Sequence, residues 1–323
     1  MAEEAGDTEF VSQLCDSSKQ KAKEELGERN ARDTVIAVQT LRQWVKEQPW
    51  LRTPTDFAFL LRFLRFRKFS QLEARKALEK FWTTRSSRPE WCRSLDPEDP
   101  LFQKVIKSGI FTCPAVRDKQ NRRVIIMRFG SFDVNMIKKE GIGRLWKCGM
   151  LFYDWLSRDE NVQVNGVVLI ADYSSLTMQI FTAIANRDDQ RDFMSYFQQA
   201  LPVRAKSMNA YNEPAFFDVI FAFISPFLSK KLKDRFHIHG RSLVKIYAEV
   251  GHACLPQEYL PDDYEGPHAG TLAQIHDAML ADMCNPEFRR YVMELSSDKY
   301  GVDKNRIPAR SQEVGSYRKL GTD

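Results

Sequence analysis

Most of the short signatures that announce chemistry are missing from this chain. It has no Gly-rich loop ending in Lys-Ser/Thr to cradle a nucleotide phosphate, no Gly-x-Ser-x-Gly elbow and no His-Glu-x-x-His pair. Gly141-Ile142-Gly143 begins a dinucleotide fingerprint, but Trp146 stands where its third glycine belongs. His237 and His239 would share one face of a strand, with His252 as a conceivable third metal ligand, yet no zinc-site spacing supports the set. Asp188-Asp189 and Asp262-Asp263 sit in turn-like surroundings and read as solvated surface. No catalytic residue, metal or cofactor is therefore expected, and the chain is not expected to be an enzyme. The six cysteines are scattered without a Cys-x-x-Cys pair, and no apolar stretch follows Met1-Ala2-Glu3-Glu4. Free thiols in a reducing compartment are expected, hence a cytoplasmic protein. No apolar run approaches the ~20 residues that span a bilayer.

The 323 residues, 43% of them hydrophobic, can fill one large domain or two smaller ones. Lys and Arg number 48 against 43 Asp and Glu, a mild excess. It permits an anionic membrane or a phosphorylated ligand and does not argue for nucleic acid. Residues 1–16 read as a flexible, acidic start. Ser17–Gln48 carries helical periodicity through Val38, Leu41 and Val45, with Gly27 and Asn30 as interruptions. Thr53-Pro54-Thr55-Asp56 is a helix start, and a strongly basic helix follows with Arg62, Arg65, Arg67 and Lys68. Ser70-x-x-Glu73 opens another helix. Beyond Leu101 strand candidates alternate with helices: Val124–Met127, the continuous apolar run Val167–Ala171, Ser207–Tyr211 and Phe236–His239. That alternation predicts an α/β fold with a mainly parallel sheet. Asp172 ends the central strand, where ligands bind in open α/β sheets, but capping the next turn is its simpler role. Residues 271–294 read as helix, and Ser296–Asp323 as a polar, mobile tail.

The segment Asn212–Gly240 stands out. Pro214 is placed to open a helix, and Phe216, Phe217, Val219, Ile220, Phe221, Phe223 and Ile224 follow. These cover roughly 200° of the wheel, against the ~100° stripe that serves one core. Asp218, Ala222 and Ser225 mark a less apolar side, and Ser225-Pro226 interrupts the run. Lys230, Lys231, Lys233 and Arg235 come next, suited to a helix end or to lipid headgroups. A fully buried helix, a partner-binding helix and a lid between a cavity and a membrane all satisfy this pattern. The surrounding excess of aromatic residues fits a well-filled core or an apolar pocket.

Several stretches together resemble the CRAL-TRIO family of lipid-binding proteins. They are Leu60–Phe69 (LLRFLRFRKF), Asn165-Gly166, Leu201–Lys206 (LPVRAK), Asn212-Glu213-Pro214, Pro226–Leu232 (PFLSKKL), His239-Gly240 and Leu255–Tyr259 (LPQEY). Their order fits from about residue 17 to 272, most like the subgroup holding the α-tocopherol transfer protein, cellular retinaldehyde-binding protein and the clavesins. The resemblance implies an N-terminal helical domain at 17–95, a lipid-binding α/β sandwich at 96–275, and a closing helix with a polar tail at 276–323. It implies a monomer that carries one hydrophobic lipid, of retinoid, tocopherol or phospholipid type, at phosphoinositide-containing endomembranes. A phosphoinositide-sensing trafficking adaptor that recruits proteins is the alternative.

Carried over residue by residue, Gly149, Tyr153, Phe193, Tyr196, Phe197 and Met208 match pocket positions, with bulky rings that would narrow the cavity. Phe216, Ile220 and Phe223 match the membrane-facing side of a mobile gate helix, leaving Phe217, Phe221 and Ile224 toward the pocket. Arg67, Arg204, Lys206, Lys231 and Arg235 match a cleft for phosphoinositide phosphates. One departure is expected to matter: residues 260–268 form a longer, acidic turn, and Ala269-Gly270-Thr271 looks like a displaced remnant of the family's Gly pair.

Overall fold

A computed structural model describes residues 10–307 of the chain. Its first part is helical: Asp16–Lys21 running into a π-turn at Ala22–Leu26, then Ala31–Lys46, Phe57–Phe66 and Gln71–Ser87. The starts of the last three are each fixed by a side chain that satisfies a free backbone N–H. Asn30 Oδ1 accepts from Asp33 N at 2.8 Å, Asp56 Oδ1 from Phe59 N at 2.9 Å and Ser70 Oγ from Glu73 N at 3.4 Å. The cap after Pro54 is thus Asp56 itself, and Thr53 instead accepts from the indole of Trp82 at 2.7 Å.

The second part is a five-stranded sheet in the order β2-β3-β4-β5-β6, with β2 Phe111–Thr112, β3 Arg123–Arg128, β4 Val167–Asp172, β5 Ala205–Tyr211 and β6 Phe236–Ile238. Strands β3 to β6 run parallel and β2 joins antiparallel at the edge. The alternating strands and helices at 134–165, 178–199 and 217–233 supply the crossovers that a parallel sheet requires. β4 is buried on both faces, as its unbroken apolar run demands. Val168 and Ile170 pack with Val124, Ile126 and the Val244–Val250 helix, while Val167 and Leu169 belong to the core on the opposite face. Gly166 feeds β4 with φ +82°, and a Cβ there would lie 2.3 Å from the Arg204 carbonyl. Gly166→Ala is expected to cost on the order of 2 kcal/mol from the left-handed backbone alone, more with the clash. A urea melt unchanged by this substitution would contradict that reading.

One apolar core runs from Val38 and Phe59 through Leu145 and Phe152 to Leu295, so helical part and sheet share it. Two buried arginines bridge them. Arg65 donates to both Glu28 oxygens at 2.8 Å, to Glu160 at 2.8 Å and to Gln163 at 2.9 Å. Arg85 grips Asp154 with two bonds of 2.9 Å. The basic helix is therefore half structural: Arg62 and Arg65 are buried, and Arg67 and Lys68 are not.

Both ends of the described chain are better fixed than expected. Phe10 packs on Phe57 with ring centroids 4.8 Å apart, and Gln13 N donates to Glu160 at 2.6 Å. Strand β7, Gly301–Val302, pairs antiparallel with β1, Leu51–Arg52, and Tyr300 lies 5.6 Å from Trp82. Residues 296–307 are thus strapped to the helical part; the rest of the tail, 308–323, lies outside the described residues, as do residues 1–9. Two helices, Leu272–Met283 and Pro286–Leu295, occupy the region read as one. Thr271 and Gln274 form a capping box at its start, so the Ala269-Gly270-Thr271 remnant serves as a helix entry. In the acidic turn, Tyr264 stacks on His252 at 4.8 Å. Among the described residues no helix is long and apolar enough to cross a membrane.

Candidate ligand cavity and basic cluster

A cavity of about 230 Å³ lies between the sheet and its covering helices. β4 and β5 supply Leu169 and Met208; the Ile142–Leu156 helix supplies Trp146, Gly149 and Tyr153; the Arg187–Gln199 helix supplies Phe193 and Phe197. Helical spacing explains the last pair, since positions four apart share a face. The same geometry turns Tyr196 away. It is wholly buried, its ring 5.7 Å from Phe81, on the side of Arg85 and Asp154. Tyr196 therefore does not line the cavity, contrary to expectation.

The Phe217–Ile224 helix closes one side. Pro214 does not open it; Phe217 N bonds the Pro214 carbonyl in a turn, and the helix starts three residues later. Ile220, Phe223 and Ile224 line the cavity. Phe217 packs edge-on to Tyr173 at 5.3 Å, and Phe221 lies 5.4 Å from Phe236. The inward and outward sides expected from the wheel are thus exchanged for Ile220 and Phe223, and Phe217 and Phe221 fill flanking seams. An apolar sector this wide does not specify which of its parts meets the sheet. Phe216 is half-buried near Phe181, at 6.4 Å. The solvent side carries Asp218, Ala222 and Val219, the last 52% exposed. Composition gave no reason to single out Tyr173 and Gln190, which also line the cavity. Tyr173 had one available signal: it follows Asp172 at the carboxyl end of the central strand. Asp172 itself caps the turn, accepting from Ser174 N at 2.8 Å and from the Tyr259 hydroxyl.

The closing helix runs through Pro226 into a basic turn, Lys230–Lys233. Gln198 brackets the junction: its amide nitrogen donates to the Phe227 carbonyl at 2.8 Å and its oxygen accepts from Ser229 N at 2.9 Å. Beside it gather Lys231, Arg235, Arg204, Lys68 and Arg67. Burial, then Arg235, Arg204, Lys68 and Arg67 in that order, hold the Lys231 pKa below the usual lysine value. Burial and, more weakly, Arg235 likewise lower that of Arg204. Backbone carbonyls hold three of these guanidinium groups: Arg67 on Gln199, Arg204 on Val164 at 3.2 Å, Arg235 on Ala205. A carbonyl orients a guanidinium without cancelling its charge. Among the described residues, none of Arg67, Lys68, Arg204, Lys231 and Arg235 forms an ion pair. Lys206 does, with Glu25 at 3.1 Å. The structure therefore gathers four of the five expected cations, adds Lys68, and leaves Lys206 at the margin on Glu25; the result is a concentrated positive potential suited to a polyanion.

The remaining candidates do not converge. His239 Nε2 is paired with Asn209 Oδ1 at 2.7 Å, and His252 lies between Tyr247 and Tyr264. Gly141 joins two helices instead of following a strand, the wrong context for a dinucleotide turn.

Residues 107–260 match the CRAL/TRIO domain, and residues 30–102 match the Pinta-like UBA domain. Human alpha-tocopherol transfer protein-like is 34% identical over 255 residues, covering 77% of this chain and 71% of that protein. Human clavesin-2 is 29% identical over 272 residues, covering 82% and 81% respectively. A crystal structure of Sfh5 superposes with a TM-score of 0.48 at 14% identity, covering 84% of this chain and 100% of that one.

Proposed function

This chain belongs to the CRAL/TRIO domain family, and from that premise we propose that it is a non-enzymatic carrier that holds one hydrophobic lipid and exchanges it at membranes. One observation carries the reading: an apolar cavity closed by a short helix whose far end runs directly into a cluster of cations, five of them outside any ion pair among the described residues. The proposed setting is a monomer in the cytoplasm, docking peripherally on endomembranes. The helix Phe217–Ile224 is the gate, presenting Val219 and its neighbours to the bilayer while Ile220, Phe223 and Ile224 face the cargo. Phosphoinositide phosphates are the proposed occupants of the cluster, where arginine forks suit bidentate contact. Headgroup binding promotes opening only if the open state binds it better. The Gln198 bracket supplies a route for such a difference. Arg67 donates to the backbone of the same turn whose side chain clamps the gate's end.

The direct test is extraction and mass spectrometry of the freshly purified chain, followed by transfer between labelled vesicles. One apolar molecule per chain, delivered faster to acceptors containing phosphatidylinositol bisphosphate, is expected; an empty protein that moves no lipid would refute the proposal. Glu25 offers a second handle. Despite partial burial, its bond to Lys206 and the charges of Lys206, Lys21 and Arg204 hold its carboxyl below the usual range. It is therefore ionised and competes with any headgroup for Lys206. Glu25→Gln is expected to tighten binding of soluble inositol bisphosphate about threefold to tenfold, by calorimetry, since a hydrogen bond to a charged group contributes about 1.5–3 kcal/mol before screening by solvent. Weaker binding would show that Glu25 instead orders the site.

A further inference from the structure

Ser70 is the one serine in the chain preceded by cations at both its third and second positions, Arg67 and Lys68. It is exposed, at the end of a tight turn. Ser70 N bonds the Arg67 carbonyl at 3.0 Å, and between them Lys68 and Phe69 hold φ of +51° and +58°. Two successive left-handed residues with side chains are strained, so this turn opens more readily than the helices on either side. The cap that the Ser70 hydroxyl gives to Glu73 N, at 3.4 Å, is one that a phosphate oxygen on the same side chain also supplies. The same turn feeds the cation cluster: Arg67 and Lys68 both depress the Lys231 pKa, behind burial, Arg235 and Arg204. Arg67 is short of an acceptor. One nitrogen of its guanidinium donates to the Gln199 carbonyl, while Nε is buried without a hydrogen-bond partner among the described residues. Burial lowers the Arg67 pKa, and Glu73, the residue whose N–H Ser70 caps, opposes it. A group carried on Ser70 therefore starts out on the side of the helix from which Arg67 is reached.

Resting on the reading of the cluster as a polyanion site, we propose that Ser70 is a phosphorylation site, and that its phosphate folds back onto Arg67 and Lys68 and competes there with phosphoinositide headgroups. Kinases that read positive charge ahead of the acceptor serine do so with acidic clefts, and Arg67-Lys68-Phe69-Ser70 presents that pattern. In the transfer the Ser70 oxygen attacks the γ-phosphorus of ATP on the kinase. Its bond to phosphorus forms as the bond to the ADP oxygen breaks, and the hydroxyl proton passes to a base of the kinase. The product carries about two negative charges and three acceptor oxygens. At the cap of the Gln71–Ser87 helix this charge is favourable, and Glu73, which opposes it, is itself paired with Lys76 at 2.8 Å. Arg67 Nε then gains the acceptor it lacks, and the cluster loses part of its potential before any membrane is met. Docking is thereby switched without touching the cavity.

The test treats the full chain with a serine kinase that prefers basic sequences and with ATP, maps the phosphate by tandem mass spectrometry, and measures binding of soluble inositol bisphosphate by calorimetry. Phosphate on Ser70 is expected, with affinity about tenfold below that of the untreated chain and uptake of lipid from detergent unchanged. Kinase treatment of Ser70→Ala should leave its affinity as it was before treatment. Phosphate absent from Ser70, or a Ser70-phosphorylated chain that binds at least as tightly as the untreated one, overturns the proposal and leaves the cluster reading standing. An untreated chain that does not bind overturns both. Should the variant not fold, mapping and calorimetry on the parent chain still decide.

Discussion

Asp154→Ala is expected to lower the unfolding free energy by about 3–5 kcal/mol, the cost of leaving a buried charge without its partner. Arg85 is 3% exposed and Asp154 2%, and two bonds of 2.9 Å join them. Burial alone would depress the Arg85 pKa, but Asp154 more than reverses this and keeps it above the ordinary arginine value. The guanidinium also lies 4.9 Å from the centre of the Phe81 ring, so little water could reach it after the substitution. Domains of ordinary stability hold only about 5–15 kcal/mol in total, so the variant should be partly unfolded near body temperature. Urea denaturation followed by tryptophan fluorescence measures the loss. The double variant Arg85→Met, Asp154→Leu should recover most of it, because apolar residues of similar volume carry no desolvation cost. A single-variant loss below about 1 kcal/mol would mean that the join between helices and sheet does not depend on this pair.

Lys231→Ala together with Arg235→Ala should slow transfer to phosphoinositide-containing acceptors by tenfold or more, while uptake from detergent stays near that of the parent. Each charged contact to phosphate contributes about 1.5–3 kcal/mol, and two lost together exceed the ~1.4 kcal/mol that corresponds to tenfold. Neither residue lines the cavity. Their removal also takes away mutual repulsion, since Arg235 is the foremost of the charges that lower the Lys231 pKa. The double variant should therefore be no less stable than the parent, which separates a binding defect from a folding defect. Raising the salt concentration should reduce the difference between the two proteins. Equal transfer by both at low salt would remove the cluster from the mechanism.

What the sequence allowed, and what it withheld, follows from the range of the forces involved. β4 was readable because a strand buried on both faces needs an unbroken apolar run, and Val167–Ala171 is one. The helix start at Ser70 was readable because caps act over three residues; Asn30, read only as an interruption, caps the helix that follows it. The solvent side of the gate was marked by Asp218 and Ala222. Its inner face was not, because phenylalanines lie on nearly every other side and only the sheet decides which of them meets the cavity. Tyr196 shows the same limit, one residue from a cavity-lining phenylalanine and turned wholly elsewhere. Arg65 and Arg67 are two positions apart in one basic run, yet one is an internal bridge and the other lies beside the cation cluster. The β1–β7 pair left no pattern at all, because two residues pairing across most of the chain have no local period.

The two arginine bridges and the common core make the helical part a fixed frame for everything beside it. Whatever grips that end of the molecule would hold the jamb and leave the hinge free. Under the carrier proposal, a tether on that frame away from Arg67 would hold the chain in place without reaching the turn beside the gate.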